Sequence, residues 1–153
     1  MRTRRSVRTP RSWRAGWDGA LLGDAALTPD REETMDKISL DEKFGLFDEH
    51  WRPKIIATVN GQDVKIIKVK GEFLWHHHAD EDEFFMVWKG RFHVEFRDRM
   101  VELGQGECIV VPRGVEHRTW ADEQALVLCF EPAGVVNTGN VQSEQTASVL
   151  ERI

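Results

Sequence analysis

The sequence predicts an all-β domain, a sandwich or barrel of short strands with one short helix ahead of them. Three observations carry that prediction. From Ile55 onward, short apolar or alternating runs recur at close spacing. Turn-forming residues fall between them, as at Asn60-Gly61, Lys89-Gly90, Asp98-Arg99, Gly104-Gln105-Gly106 and Pro112-Arg113-Gly114. Only residues 39–51 space their apolar side chains for a helix.

In that first element Leu40, Phe44, Phe47 and Trp51 recur three or four apart, which places them on one helical face. Ser39 is a candidate cap, Glu42 follows it by three, and Pro53 prevents continuation. Residues 55–59 and 64–69 then read as a hairpin closed by Asn60-Gly61, the turn that strand twist favours. Residues 84–88 form an apolar strand. Residues 91–97 alternate, with Phe92, Val94 and Phe96 on the buried face. Residues 100–103, 108–111, 117–120 and 125–130 are four further strands. Pro132 and Gly134 end the last of them, and residues 137–153 read as a polar tail with little apolar surface to anchor it.

The 153 residues suit one domain with a single core. No stretch approaches the roughly 20 apolar residues of a spanning helix, and the net charge of -5 argues against nucleic acid as a partner. Cys108 and Cys129 sit in apolar runs and are expected to be reduced core residues of a cytoplasmic protein. The charge is uneven. Residues 1–34 hold seven arginines and five acids, whereas 14 basic and 21 acidic residues follow from Met35 on. Residues 1–34 are therefore expected to be a disordered basic extension or an over-long start, with the folded protein opening at Met35 and the barrel with its helix spanning residues 35–136.

Reactive side chains cluster in two segments. The first runs Trp75-His76-His77-His78, then Glu83 and Gly90; the second runs Gly106, Pro112, Gly114, His117. In extended chain alternate side chains leave one face, so His76 and His78 aim together while His77 points away. Glu83 can return a carboxylate after the acidic turn 80–82, and His117 can add a third imidazole. Three nitrogens and one carboxylate suit one divalent transition metal: iron, manganese, zinc, nickel or cobalt. His50 and His93 are expected to be ordinary surface or core histidines. Thr119, two beyond His117, shares its face and is a candidate substrate contact, as are Phe85 and Trp88; Trp75, Trp120 and Phe92 are further candidates for the pocket wall. No general base stands out, because the strand parity around Lys65, Lys68 and Glu72 is open.

These two segments resemble the cupin superfamily, whose motifs are written G(X)5HXH(X)3-4E(X)6G and G(X)5PXG(X)2H(X)3N. In the first, His76, His78, Glu83 and Gly90 fit, and Gly71 lies one residue too near the histidines. In the second, Gly106, Pro112, Gly114 and His117 fit, while Ala121 stands in place of the asparagine. WHHH, VPRGVEH and EPAGVVNTGN look like a group of small bacterial single-domain cupins often labelled mannose-6-phosphate isomerase-like. The resemblance implies a jelly-roll barrel, or double-stranded β-helix, that encloses the metal on rigid strands. It also implies one of two kinds of metal-dependent enzyme, an isomerase or epimerase acting on a small polar or carbohydrate-like substrate, or a dioxygenase. The alternative is a non-catalytic protein that binds a small molecule through the metal. Small cupins are frequently homodimers, and residues 55–69, apolar on both strand faces around Ile56 and Ile66, are the expected contact.

Overall fold

The computed structural model describes residues 36–153; the expectation for residues 1–34 lies outside the described residues. Among the described residues one helix, α1 (Leu40–Phe44), precedes eight strands: β1 (Lys54–Val59), β2 (Gln62–Glu72), β3 (Glu83–Lys89), β4 (Phe92–Phe96), β5 (Met100–Leu103), β6 (Cys108–Val111), β7 (His117–Pro132) and β8 (Glu151–Arg152). Hydrogen bonding joins the strands in the order β5-β4-β7-β2-β1-β8, with β3 paired to β7 and β6 paired to β3. The path does not close on itself. Among the described residues no helix is long and apolar enough to cross a membrane.

Helix α1 is shorter than its apolar spacing predicts. Ser39 Oγ accepts the Glu42 N–H at 3.4 Å and starts the helix, but the Gly45 N–H donates back to Asp41 and Glu42 and ends it. Phe44 and Phe47 nevertheless bury their rings on Ile66 of β2, in a small core on the outer face of the sheet. The hairpin forms as expected. Asn60 and Gly61 both take positive φ (51° and 76°), the left-handed pair that a two-residue hairpin turn requires.

Strand β7 organises the domain. The sequence divides it into two strands at Asp122-Glu123-Gln124, yet one strand runs from His117 to Pro132 with those three residues exposed. Its first residues pair with β4 and its last with β3, while β2 runs along the opposite edge from Pro132 to Trp120. The register with β2 slips there, from Val69↔Ala125 to Gly71↔Ala121, so the three polar residues bulge outward while the paired residues on either side keep the strand continuous. Gly90, which leads out of β3, has φ 90°, and a Cβ there would lie 3.0 Å from the backbone of Gln124 and Ala125. Only glycine lets that turn pass this close to β7.

The main core lies between the strands, with Val69, Phe85, Val87, Phe92, Val94, Val111 and Val127 among its buried members. Cys129 is buried in it, but Cys108 is exposed on β6, against expectation. The sequence also misjudges the C-terminal segment. Thr138 and Ala147 are buried, the Arg52 guanidinium donates to the carbonyls of Glu144 and Thr146, and β8 pairs in parallel with β1. Asn137 accepts from the Ala147 N–H and donates to the Gln145 carbonyl. This segment is anchored by hydrogen bonds rather than by apolar area, which is why composition hides it.

Candidate metal centre

Past β2 the chain keeps to the edge of β7. The Phe73 N–H donates to Thr119 O at 2.8 Å, and His76 and His117 exchange two backbone hydrogen bonds of 2.9 Å. The Gly114 N–H then donates to His78 O at 2.6 Å. The two sequence segments are thereby joined through their backbones. Residues 76–78 form no regular strand, contrary to expectation, but the alternation survives: His76 and His78 are buried, and His77 is only partly so.

The four predicted side chains come together around Glu83, and of them His76 and Glu83 line an interior cavity. His76 Nδ1 lies 3.0 Å from Leu74 O, and His117 Nδ1 lies 3.0 Å from Val115 O. A carbonyl can only accept, so both Nδ1 atoms carry protons, and in the neutral ring it is Nε2 that presents the lone pair. Glu83 Oε2, at the start of β3, lies 3.3 Å from His117 Nε2 and 3.6 Å from His78 Nε2. None of these three atoms has a hydrogen-bond partner, and all are buried. A lone pair facing a carboxylate oxygen at 3.3 Å is repulsive unless a positive charge lies between them. The donor set therefore fits a cation, and the Nδ1–carbonyl bonds orient two imidazoles as metal-bound histidines are usually oriented.

Electrostatics point the same way. Burial, reinforced by the neighbouring His117, lowers His76 from 6.5 to about 4, and burial lowers His78 as well. Burial pushes Glu83 up, but the close approach of His117, His78 and His76 outweighs it and leaves the carboxyl below its ordinary value. Neutral imidazoles and an ionised carboxylate are the forms that ligate.

Glu131 escaped the sequence reading, and the face of Lys65 was left open by it. Lys65 of β2 and Glu131 of β7 form an ion pair of 2.7 Å with side chains 1% and 3% exposed. The donor atoms of His76, Glu83 and His117 lie within 4.8 Å of one another, and those of His78, Glu83 and Glu131 do likewise. Burial, with Glu83 nearby, raises Glu131 to about 7. Parity was the available signal: Val127, Cys129 and Glu131 alternate inward along one strand.

The cavity beside this cluster encloses about 30 Å³ and is partly open to solvent. Phe85, Thr119 and Phe92 line it. Trp88 does not. It has the opposite parity to Phe85 and Val87, packs on the α1 side and donates its indole N–H to Asp41 at 3.0 Å. Trp75 lies under the Arg97 guanidinium and Trp120 stacks on His93, so neither lines the cavity. Trp51, expected to end the helix, instead lines the cavity at φ 58°, stacked on Phe73. His50 is exposed, and His93 is buried against Trp120 and Glu102, as expected of histidines outside the site.

A family model described as Cupin domain matches residues 63–131. Uncharacterized protein YdbB of Bacillus subtilis is 35% identical over 77 residues, which cover 50% of this chain and 68% of that protein. Among solved structures, a cupin-2 domain containing protein from Shewanella frigidimarina is 45% identical with a TM-score of 0.62, over 62% of this chain and 93% of its own. A Neisseria meningitidis protein is 27% identical with a TM-score of 0.59, over 64% and 100%.

Proposed function

Because the chain belongs to the cupin superfamily, we propose that its cavity holds one divalent transition metal on His76, His78, Glu83 and His117 and brings a small molecule to it as an enzyme. The observation that carries this reading is the Glu83 Oε2 and His117 Nε2 pair, two electron-rich atoms buried 3.3 Å apart with no proton donor between them. When bound, the metal supplies Lewis acidity and, if it is iron or manganese, redox chemistry with dioxygen.

The wall favours one kind of substrate. Trp51, Ile67, Phe73, Phe85, Phe92 and Val127 make most of it apolar, and Thr119 and Asn137 are its neutral polar members. A sugar, with a hydroxyl on nearly every carbon, would leave most of those groups without partners here. A compact molecule with an apolar body and one polar end fits better, its body against the aromatic side chains and its polar end toward the histidines. The apolar wall also excludes water from the reacting end. This supports the dioxygenase-type reading over carbohydrate isomerisation.

Elemental analysis of tag-free protein purified without added metal tests the proposal, followed by dioxygen uptake with small aromatic and dicarbonyl compounds. About one equivalent of iron or manganese with substrate-dependent uptake is the expected result. Zinc alone, with no uptake, would favour the non-catalytic binding protein, and no bound metal under any loading condition would overturn the site.

A further inference from the structure

We propose that Glu131 is a fifth protein ligand to this metal, leaving one coordination position open rather than two. The inference rests on the metal-site reading above and goes beyond it in the ligand set and in the mode of substrate attachment.

Glu131 has its two oxygens in different situations. Oε1 accepts from Lys65 Nζ at 2.7 Å, whereas Oε2 is buried and has no hydrogen-bond partner. The residue lines the same cavity as His76 and Glu83, and its donor atom stands within 4.8 Å of those of both Glu83 and His78. Glu83 and Glu131 thus each have one partnerless buried oxygen, and their carboxylates approach within 4.8 Å beside a largely apolar wall. Two such carboxylates repel each other unless a cation or a shared proton joins them. His78 makes the cation the better account, since its Nε2 is a third buried atom without a partner at the same place. Lys65 acts as a positioning residue. It occupies one oxygen of Glu131 and so presents the other alone, as a single donor.

The consequence is chemical. A six-coordinate metal with three histidines and one carboxylate accepts a chelating substrate through two atoms. With Glu131 added, it accepts one atom, and the two carboxylates neutralise the charge of a divalent ion. Substrate selection then falls to the apolar wall rather than to chelation.

The test uses the full chain stripped with EDTA and titrated with Co2+ by calorimetry, with the visible spectrum recorded alongside. Wild type is expected to bind one equivalent. Glu131→Gln is expected to bind on the order of 10–100-fold more weakly with an altered cobalt spectrum, while its metal-free melting curve stays cooperative. Unchanged affinity and spectrum in Glu131→Gln would overturn the proposal and leave the four-ligand site standing. Failure of wild type to bind any metal would overturn both, and two equivalents of cobalt would overturn the single five-ligand centre. Should the variant not fold, a crystal structure of the cobalt-loaded wild type decides. Glu131 Oε2 is expected within a carboxylate–metal bond of about 2.0–2.2 Å, and a longer separation overturns the assignment.

Discussion

His76 and His117 hold each other by their backbones, the N–H of each donating to the carbonyl of the other at 2.9 Å. Residues 41 positions apart in sequence are thus fixed as neighbours before any metal is considered, with ring centroids 4.4 Å apart. A side chain removed at either position leaves this bridge intact, because the bridge uses only main-chain atoms. Loss of metal can therefore be separated from loss of fold.

The first prediction follows. His117→Ala and His78→Ala are expected to lower metal affinity by at least about tenfold while the protein stays folded. His77→Ala is expected to change it little, since its side chain leaves the other face of the chain. Metal content by elemental analysis, read with circular dichroism, checks both. Equal loss from His77→Ala would reject the assignment of faces.

The motif residues were legible because their spacing survives even where the expected strand does not: residues 76–78 are irregular, yet their alternation still separates His77 from the other two. Strand parity was legible where the run alternates, as in residues 92–96, and placed Phe92 inward. The uniformly apolar run 84–88 shows no alternation, so Phe85 and Trp88 were equal candidates for the cavity, and it is α1 that gives Trp88 a second core on the other face. Parity was not extended far enough along β7 to reach Glu131, an acid where the pattern leads one to expect an apolar residue. The C-terminal segment was illegible for another reason. Its contacts with Arg52, His77 and β1 are hydrogen bonds to backbone, which composition does not record.

The pH dependence of the metal-free protein is expected to reveal opposed groups. His76, lowered from 6.5 to about 4, contributes stability present above 6.5 and lost as pH falls toward 4. His78 and Glu83 are also lowered and act in the same sense. Glu131, raised from 4.5 to about 7, contributes stability present below 4.5 and lost as pH rises toward 7. Glu131→Gln removes the opposing contribution, so its melting temperature should fall more steeply than that of wild type on acidification from pH 6.5 to 4.5. Parallel curves for the two EDTA-treated proteins would contradict the assignment.

Gly139 is expected to control the C-terminal segment. The backbone of Asn140 and its side-chain oxygen bond to the His77 main chain at 3.1 and 2.9 Å. Gly139 has φ 50°, and a Cβ on it would collide with the His77 carbonyl and lie 3.4 Å from His78 Nδ1. Gly139→Ala should therefore cost about 1–3 kcal/mol, expose residues 137–147 to protease, and weaken metal binding through His78. Limited proteolysis with mass spectrometry reads the first effect, and cobalt titration reads the second. Cleavage and affinity both equal to wild type would show that the segment does not support the site.

Assembly is the last expectation, and the structure narrows where it can act. Ile66 is fully buried beneath Phe44 and Phe47 within its own chain, so it is a core residue and not the contact that the apolar run implied. Ile66→Lys should unfold the protein whatever its oligomeric state. Strand β8 covers the outer edge of β1 only at Lys54 and Ile55, leaving the backbone beyond them unpaired by any described strand, with Val59 49% exposed. A second copy adding to that edge about a two-fold axis would satisfy those groups. Light scattering of tag-free protein should then give twice 17.7 kDa, and Val59→Lys should halve the mass without lowering metal content. A wild-type mass of one chain at micromolar concentration would reject the dimer. A dimer that survives Val59→Lys would move the contact to another surface, such as the exposed Met100 edge of β5 or Val110 on β6.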